Sequence, residues 1–212
     1  ESGTQRSGCD PVERTASAAW RIAVLTSGHG RGSNLRAMHA CFRDQGLPVT
    51  IIFATASRSD VPVAALCREL GIDCWILHPR REGFEARLLE LCRNEKIDLI
   101  ALAGFMSLLS AEFLDTVAIP VLNIHPALLP RYGGPGMYGL KVHEAVWASG
   151  DKVSGASVHR VDPLYDHGEL IAQEKVDISD CRGPQEIAAR VLAVEHRLYG
   201  PAIHLFLSGS DS

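Results

Sequence analysis

Short apolar runs alternate with longer amphipathic segments along most of the chain, starting near Trp20. The short runs are rich in Val, Ile and other residues that favour strands, and they predict five strands at residues 21–26, 49–54, 74–77, 99–103 and 121–124. In the first segment between them, Leu35, Met38 and Phe42 recur at helical spacing. The predicted helices begin near residue 33 or 34 and span residues 63–70, 84–92 and 111–114. This alternation predicts a parallel sheet covered by helices on both faces.

The pattern changes after residue 130. Residues 133–139 hold four glycines and a proline, a composition that predicts a mobile loop, and a helix is predicted over 141–148. Residues 153–161 and 170–176 have strand character and flank a polar turn at 162–168. We expect them to form an antiparallel hairpin added to the parallel sheet. A closing helix is predicted over 184–206, and no repeat or linker interrupts the chain, so the prediction is one α/β domain.

Composition and charge exclude several classes of protein. With 212 residues and 46% hydrophobic content, the chain can bury one core, and its net charge of −4 gives no reason to expect nucleic acid or an anionic membrane as partner. No apolar run is long enough for a membrane span, and the first 20 residues lack the apolar core of a signal peptide. Six cysteines without a C-x-x-C pair suggest a reducing compartment. We therefore expect a cytoplasmic protein, as a monomer or a homodimer.

The two ends of the chain differ from the rest. Residues 1–19 are polar, aperiodic and begin without Met, so we interpret them as a disordered tail or a remnant of expression. Residues 208–212 are interpreted as a C-terminal tail, which leaves 20–207 as the single domain.

A glycine-rich turn follows the first predicted strand. Residues 27–34 read SGHGRGSN, and glycines there let the backbone direct amide groups at an anion near the start of a helix. No Gly-Lys-Ser/Thr follows, and Ser57 and Arg58 stand where a dinucleotide-binding protein has its acid after the second strand. A monophosphate ligand fits better than NAD, and an ordinary turn between strand and helix is the alternative.

Asn123 and His125 end the fifth predicted strand. Strand alternation points both side chains to one side at the carboxyl end, where open α/β sheets bind ligands. An amide beside an imidazole suits acyl transfer, because both groups can hydrogen-bond the oxygen that becomes negative as an amine attacks a formyl carbon. Taken alone, a histidine at the end of a strand more often has a structural role than a catalytic one.

Asp166 lies in the polar turn of the predicted hairpin. If that turn folds over the same strand ends, its carboxylate would favour the imidazolium form of His125, which would then be charged near neutral pH. Stabilisation of the turn itself is the alternative role. The nine histidines include no pair at metal-binding spacing, so no metal is predicted.

The sequence resembles the folate-dependent formyltransferase family in five places: residues 27–35, AGFM at 103–106, NIHPALLP at 123–130, Asp166 and Glu195. The resemblance spans about residues 20–207. It implies a single-domain, Rossmann-like formyltransferase fold and the transfer of a formyl group from 10-formyltetrahydrofolate to the amine of glycinamide ribonucleotide in purine biosynthesis. The formyl folate is a cosubstrate, and no metal is implied.

The resemblance also implies roles for individual residues. Asn123 would hold the formyl oxygen, His125 would stabilise the tetrahedral intermediate or shuttle its proton, and Asp166 would keep His125 protonated or oriented. The nucleotide would be bound by Gly32, Ser33 and Asn34 at its phosphate, by Glu195 at its ribose and by Pro126 beside its glycinamide. The folate would be bound by Arg81, Met106, Ser107, Leu108 and Leu109, with Asn123 and backbone around residues 161–166.

Three features depart from the family pattern. The turn at residues 28–34 carries two more residues than the usual S-G-x-G-S-N, so the amides that meet phosphate are not fixed by the resemblance. Ser107 stands where many members have a basic residue, which bears on the pterin contacts. The loop at 133–139 is longer than in many members, and its Met137 and Tyr138 would either cover the folate or lie on the surface.

Other functions stay open at this point. Another amine, such as methionyl-tRNA or an amino sugar, could accept the formyl group, although a tRNA enzyme would be expected to carry an additional basic domain. Water could replace the amine, which would make the protein a hydrolase that releases formate. A non-catalytic module that binds nucleotides through residues 27–34 is the alternative from a different class.

Overall fold

A computed structural model of the chain describes residues 19–28 and 30–209. The tails expected at 1–19 and 208–212 lie mostly outside the described residues. The strands are β1 Trp20–Leu25, β2 Val49–Ala56, β3 Asp73–Ile76, β4 Leu99–Leu102, β5 Val121–His125, β6 Val153–Arg160 and β7 Leu170–Asp177. The helices are α1 Ser33–Asp44, α2 Pro62–Leu70, α3 Phe84–Asn94, α4 Ala111–Val117, α5 Leu140–Ser149 and α6 Pro184–Leu207.

All the strands form one mixed sheet in the order β3-β2-β1-β4-β5-β6-β7. The first five strands pair in parallel. β6 then pairs antiparallel with both β5 and β7. The predicted parallel sheet with an added antiparallel hairpin is therefore confirmed.

Helices cover both faces of the sheet, as the alternating pattern predicts. On one face, buried side chains of α1, α2, α5 and α6 pack with the sheet in one apolar cluster. The other face carries a smaller cluster with residues of α3 and α4. Leu35, Met38 and Phe42 of α1 are all buried, which confirms the helical periodicity. No helix within the described part of the chain has the length and apolar character needed to cross a bilayer.

Some elements extend beyond their predicted ends. The helix predicted over 111–114 reaches Val117. The Ser110 hydroxyl caps its start by accepting a hydrogen bond from the backbone N–H of Phe113 at 3.0 Å. It ends at Ala118, which adopts a left-handed conformation. The strand predicted over 121–124 includes His125, whose backbone pairs with Ser157 on β6.

The long helix α6 is anchored beneath the carboxyl ends of the central strands. Tyr199 is fully buried, and its hydroxyl lies 2.9 Å from the carbonyl oxygen of Leu102 and 3.0 Å from that of Leu122. Gly200 lets the helix approach α1 closely, because a Cβ there would lie 2.8 Å from the sulfur of Cys41. These contacts fix α6 against β4 and β5.

Candidate active site

A cavity of about 710 Å³ opens at the carboxyl edge of β4 and β5. Its wall comes from segments that are far apart in the chain: the start of α1, the segment after β4, the end of β5, the loop before α5, the turn after β6 and the middle of α6. The predicted site residues in this wall are Asn34, Met106, Ser107, Leu108, Leu109, Asn123, His125, Pro126, Asp166 and Glu195. The structure therefore brings most of the predicted side chains to one cavity.

His125 is held between two hydrogen-bond acceptors. Its side chain is buried, and Nε2 lies 2.7 Å from the carbonyl oxygen of Tyr132. Because a carbonyl oxygen can only accept, Nε2 carries a proton and donates it. Nδ1 lies 3.4 Å from Oδ1 of Asp166. The Tyr132 carbonyl, in the segment after β5, thus fixes one side of the ring, and Asp166 from the turn after β6 lies beside the other.

Asp166 connects this histidine to the loop before α5. Its Oδ2 accepts a hydrogen bond from the backbone N–H of Gly134 at 3.0 Å. Burial opposes ionisation of the carboxyl, but contacts with His159 and His125 outweigh it and hold the pKa of Asp166 below its ordinary value. The carboxylate is therefore charged at neutral pH.

The protonation of His125 differs from the expectation. Burial lowers the pKa of His125, and the charge of Asp166 and the hydrogen bond to Tyr132 offset only part of that effect. An imidazolium at neutral pH is therefore not supported, because desolvation outweighs the neighbouring carboxylate. Asp166 lies beside Nδ1, which carries no proton in this tautomer, so its charge favours any proton that Nδ1 gains, and its orienting role stays a prediction.

His159 belongs to the same cluster, although it was not among the residues predicted for the site. It lies on β6 directly opposite Asn123, and its Nε2 is 3.0 Å from Nδ2 of Asn123 and 3.5 Å from Oδ1 of Asp166. No signal in the sequence marks it, because its place depends on the register of β5 and β6. His143 on α5 also lines the cavity, and burial lowers its pKa to about 4, with a further contribution from His125.

Glu195 lies opposite this cluster, paired with Asn34. Nδ2 of Asn34 donates a 2.7 Å hydrogen bond to Oε2 of Glu195. Glu195 is only 8% exposed, although glutamate side chains are seldom fully buried without a partner. Burial raises the pKa of Glu195 to about 7, although the hydrogen bond from Asn34 opposes the shift. Oδ1 of Asn34 is buried and has no partner among the described residues.

Gly32 and Ser33 lie at the start of α1 but do not line the cavity. Gly32 precedes the helix in a left-handed conformation, and a Cβ there would lie 2.8 Å from Leu66. Gly30 and Asn34, on either side, do reach the cavity. The first amides of α1 have no partner within the helix, as at any helix start, so phosphate binding by Gly32 and Ser33 stays a prediction.

Arg81 is placed apart from the other predicted folate ligands. It lines a second cavity of about 200 Å³ together with Ser57, His78 and Phe84. The structure does not bring it to the large cavity, so its role in folate binding stays a prediction without support from its position.

The remainder of the large cavity is mainly apolar. Leu109 is buried and Met106 is partly exposed, and the backbone N–H of Met106 donates to the Ser27 hydroxyl at 2.8 Å. Residues 133–139 form neither helix nor strand, and Met137 and Tyr138 from this loop line the cavity. Within residues 19–28 and 30–209, no group of three or more His, Cys, Asp or Glu side chains is placed to hold a metal ion.

The cavity thus combines a polar cluster with an apolar wall. Amide, imidazole and carboxylate groups meet at Asn123, His125 and Asp166 without a nucleophile such as a reactive cysteine or serine among them. Such a set can stabilise a developing oxyanion and guide a proton, which suits direct transfer of an acyl group between two bound molecules.

The sequence matches the formyl transferase family model over residues 20–203. It is 36% identical over 184 residues to phosphoribosylglycinamide formyltransferase, chloroplastic, of Arabidopsis thaliana, covering 84% of this chain and 62% of that protein. It is 33% identical over 192 residues to phosphoribosylglycinamide formyltransferase of Escherichia coli, covering 89% of this chain and 87% of that protein. The chain thus spans less than two thirds of the plant relative.

Two solved structures share the fold of this chain over at least 90% of its length. The crystal structure of glycinamide ribonucleotide transformylase 1 from Symbiobacterium toebii has a TM-score of 0.81 at 32% identity, with 93% of this chain and 92% of that chain covered. Phosphoribosylglycinamide formyltransferase from Brucella melitensis has a TM-score of 0.80 at 33% identity, with 90% and 97% covered. Together with the family match over residues 20–203, these similarities show that the chain belongs to the formyl transferase family.

Proposed function

We propose that this protein transfers the formyl group of 10-formyltetrahydrofolate to the amine of glycinamide ribonucleotide, a step of purine biosynthesis. The observation that carries the proposal is the meeting of Asn123, His125 and Asp166 in one cavity, opposite Asn34 and Glu195. Relatives named for this activity support the same substrate pair. The protein acts in the cytoplasm without a metal, a nucleic acid or a membrane partner.

The two ends of the cavity suit the two substrates. The ribonucleotide lies toward α1 and α6, where the helix start binds the phosphate and Glu195 accepts hydrogen bonds from the ribose hydroxyls. Pro126 borders its glycinamide group. The folate ring system lies against the apolar segment Met106–Leu109 and the backbone after β6, because flat heterocycles bind in apolar clefts with a few polar contacts.

In the proposed reaction the glycinamide amine attacks the formyl carbon directly. A new carbon–nitrogen bond forms, the bond from the formyl carbon to the folate nitrogen breaks, and the proton lost by the amine ends on that nitrogen. The carbonyl oxygen is negative in the tetrahedral intermediate. Asn123 donates a hydrogen bond to it, and removal of one such donor typically costs about 3 to 4 kcal/mol of barrier.

His125 is the second group at the developing charge. In the structure its Nε2–H donates to the Tyr132 carbonyl. We propose that this bond is exchanged for one to the oxyanion or to a water that carries the proton, since catalytic hydrogen bonds often tighten only when substrates bind. On the other side of the ring, the charge of Asp166 stabilises a proton that Nδ1 takes up during the reaction. Holding both reactants in place contributes on the order of 7 to 11 kcal/mol, so the enzyme needs no covalent intermediate.

A spectrophotometric assay of folate deformylation tests the proposal. We expect deformylation to depend on added glycinamide ribonucleotide and to saturate with it. Deformylation that proceeds equally without it would identify a hydrolase, and transfer to an amino sugar or to methionyl-tRNA alone would identify a different acceptor. Nucleotide binding without any turnover would identify a binding module. Each of these three outcomes contradicts the proposal.

A further inference from the structure

We infer that His159 is a positioning residue for the proposed reaction: by accepting a hydrogen bond at Nε2, it fixes the side-chain amide of Asn123 in one of its two possible orientations. The inference rests on the function proposed above, because it assigns His159 a task through Asn123. It adds a residue that neither the motifs nor the acyl-transfer chemistry assigns.

The position of His159 is fixed by the sheet. It lies near the end of β6, directly opposite Asn123 in the antiparallel pairing with β5. Its side chain is only 2% exposed. Because side chains opposite each other in an antiparallel pair lie on the same face, the imidazole and the amide are held side by side.

The hydrogen-bond partners of His159 define its tautomer. Nδ1 lies 3.0 Å from the carbonyl oxygen of Arg160. A carbonyl oxygen only accepts, so Nδ1 carries the proton, and in the neutral ring Nε2 is left with a lone pair. Nε2 lies 3.0 Å from the terminal amide of Asn123. A lone pair can accept only from an N–H, so the amide directs its NH₂ group at His159.

This contact decides whether the Asn123 side chain presents a hydrogen-bond donor or an acceptor to a ligand. An amide can turn by 180° with little change of shape, which exchanges its donor and its acceptor. The structure gives the Asn123 side chain no other hydrogen bond to a described residue. With one N–H bound to His159, the second N–H is held in a fixed direction as a donor. Without His159, the amide can present its carbonyl oxygen to the formyl oxygen, where two acceptors repel each other.

Asp166 does not replace this contact. Its Oδ1 lies 3.5 Å from the same Nε2, but a carboxylate oxygen can only accept. Oδ1 can accept from Nε2 only when both nitrogens of His159 carry a proton, and in the neutral ring the N–H of Asn123 is the partner that satisfies Nε2.

Two substitutions of His159 separate positioning from bulk packing. In His159→Gln the side-chain carbonyl can accept from Asn123 near the original Nε2 position, whereas His159→Leu has no acceptor. We expect kcat to fall roughly 10- to 100-fold in His159→Leu, while the KM for glycinamide ribonucleotide changes less than about threefold. His159→Gln should keep kcat within about fivefold of the wild type. The matched control is His204→Leu, near the end of α6, which lines neither cavity and should leave kcat unchanged.

A double-mutant cycle with Asn123→Ala tests whether His159 acts through Asn123. If it does, His159→Leu costs no further activity in a chain that already lacks the amide. An equal loss of kcat in both backgrounds would overturn the inference, and so would full activity of His159→Leu.

Nitrogen NMR of the labelled wild-type protein gives a readout that needs no activity and no folded Leu variant. In the wild type we expect the proton of His159 on Nδ1 and a single set of slowly exchanging signals for the side-chain amide of Asn123. A proton on Nε2, either in the other neutral tautomer or in an imidazolium paired with Asp166, would overturn the inference. If wild-type protein fails to formylate glycinamide ribonucleotide while the NMR result holds, the proposed function fails and the orientation of Asn123 stands.

Discussion

Oδ1 of Asp166 lies 3.4 Å from Nδ1 of His125, although more than 40 residues separate them in the chain. Asp166 holds this place with a backbone φ of 52°, a left-handed conformation that is uncommon outside glycine. The backbone packs closely around it, since a Cβ on Gly133 would lie 3.1 Å from the Cβ of Asp166. Strain of this kind persists where the surrounding structure fixes it, and here it aims a carboxylate at the imidazole.

Asp166→Asn keeps the shape of the side chain but removes its charge. Because Asp166 raises the pKa of His125 against the effect of burial, we expect the pKa of His125 to fall further in this variant. We also expect kcat to fall by about 100-fold or more, since the variant lacks the anion that stabilises an imidazolium when His125 takes up a proton during the reaction. An NMR titration of His125 and steady-state kinetics measure the two effects. Asp162→Asn in the same turn serves as the control, and an unchanged His125 titration in Asp166→Asn would refute the coupling.

Asn123→Ala and His125→Ala each remove one group from the proposed oxyanion site. We expect kcat to fall roughly 100- to 1,000-fold in each variant, as for loss of an oxyanion donor elsewhere. The Kd for glycinamide ribonucleotide, measured by calorimetry, should stay within about threefold, because Asn34 and Glu195 are untouched. Near-normal kcat in either variant would show that the residue has no part in the chemistry.

Glu195 makes folding stability depend on pH. Burial raises its pKa from 4.5 to about 7, so the folded state holds a proton that the unfolded chain releases. The stabilisation of the folded state by this proton is fully present below pH 4.5 and is lost as the pH rises through about 7. Glu195→Gln cannot ionise, so we expect it to exceed the wild type in stability at pH 8 by up to about 3 kcal/mol but not at pH 4.5.

Urea unfolding at both pH values measures this difference. A stability gap between Glu195→Gln and the wild type that stays constant from pH 4.5 to pH 8 would mean that Glu195 does not titrate in this range.

Gln173 holds the segment that follows His125. Its Nε2 donates to the Leu129 carbonyl at 3.1 Å and to the hydroxyl of the fully buried Ser157 at 2.8 Å. Gln173→Leu leaves the Leu129 carbonyl without this donor, so we expect a loss of about 1 to 3 kcal/mol in the free energy of unfolding. Lys175→Leu on the same strand is the exposed control and should stay within about 0.5 kcal/mol of the wild type. Equal stability of both variants would contradict a structural role for the Gln173 contacts.

Local patterns were sufficient to predict the sheet and much of the site. Strand alternation places Asn123 and His125 on one side, and strand order places their ends at one edge of the sheet, so neither depends on distant packing. His159 could not be predicted in the same way. Its role depends on which residue of β6 faces Asn123, and a shift of one residue would turn it to the other face.

The pKa values and the burial of Glu195 also depend on how the folded chain packs. The sequence supplies the carboxylate near His125 but not the depth of burial, which decides the direction of the pKa shift. Glu195 is buried because α6 packs against α1, a contact that joins residues 161 positions apart. For Arg81, the resemblance to the family implies folate binding, but the fold places this residue in a separate cavity.

The most direct test follows the formyl carbon itself. Wild-type protein is incubated with glycinamide ribonucleotide and 10-formyltetrahydrofolate that carries an isotopic label in the formyl group, and both products are analysed by mass spectrometry. We predict that the label moves to the glycinamide amine in equal amount to the tetrahydrofolate formed, and that Asn123→Ala and His125→Ala abolish most of this transfer. Label recovered as free formate, or transfer that both variants leave intact, would contradict the account.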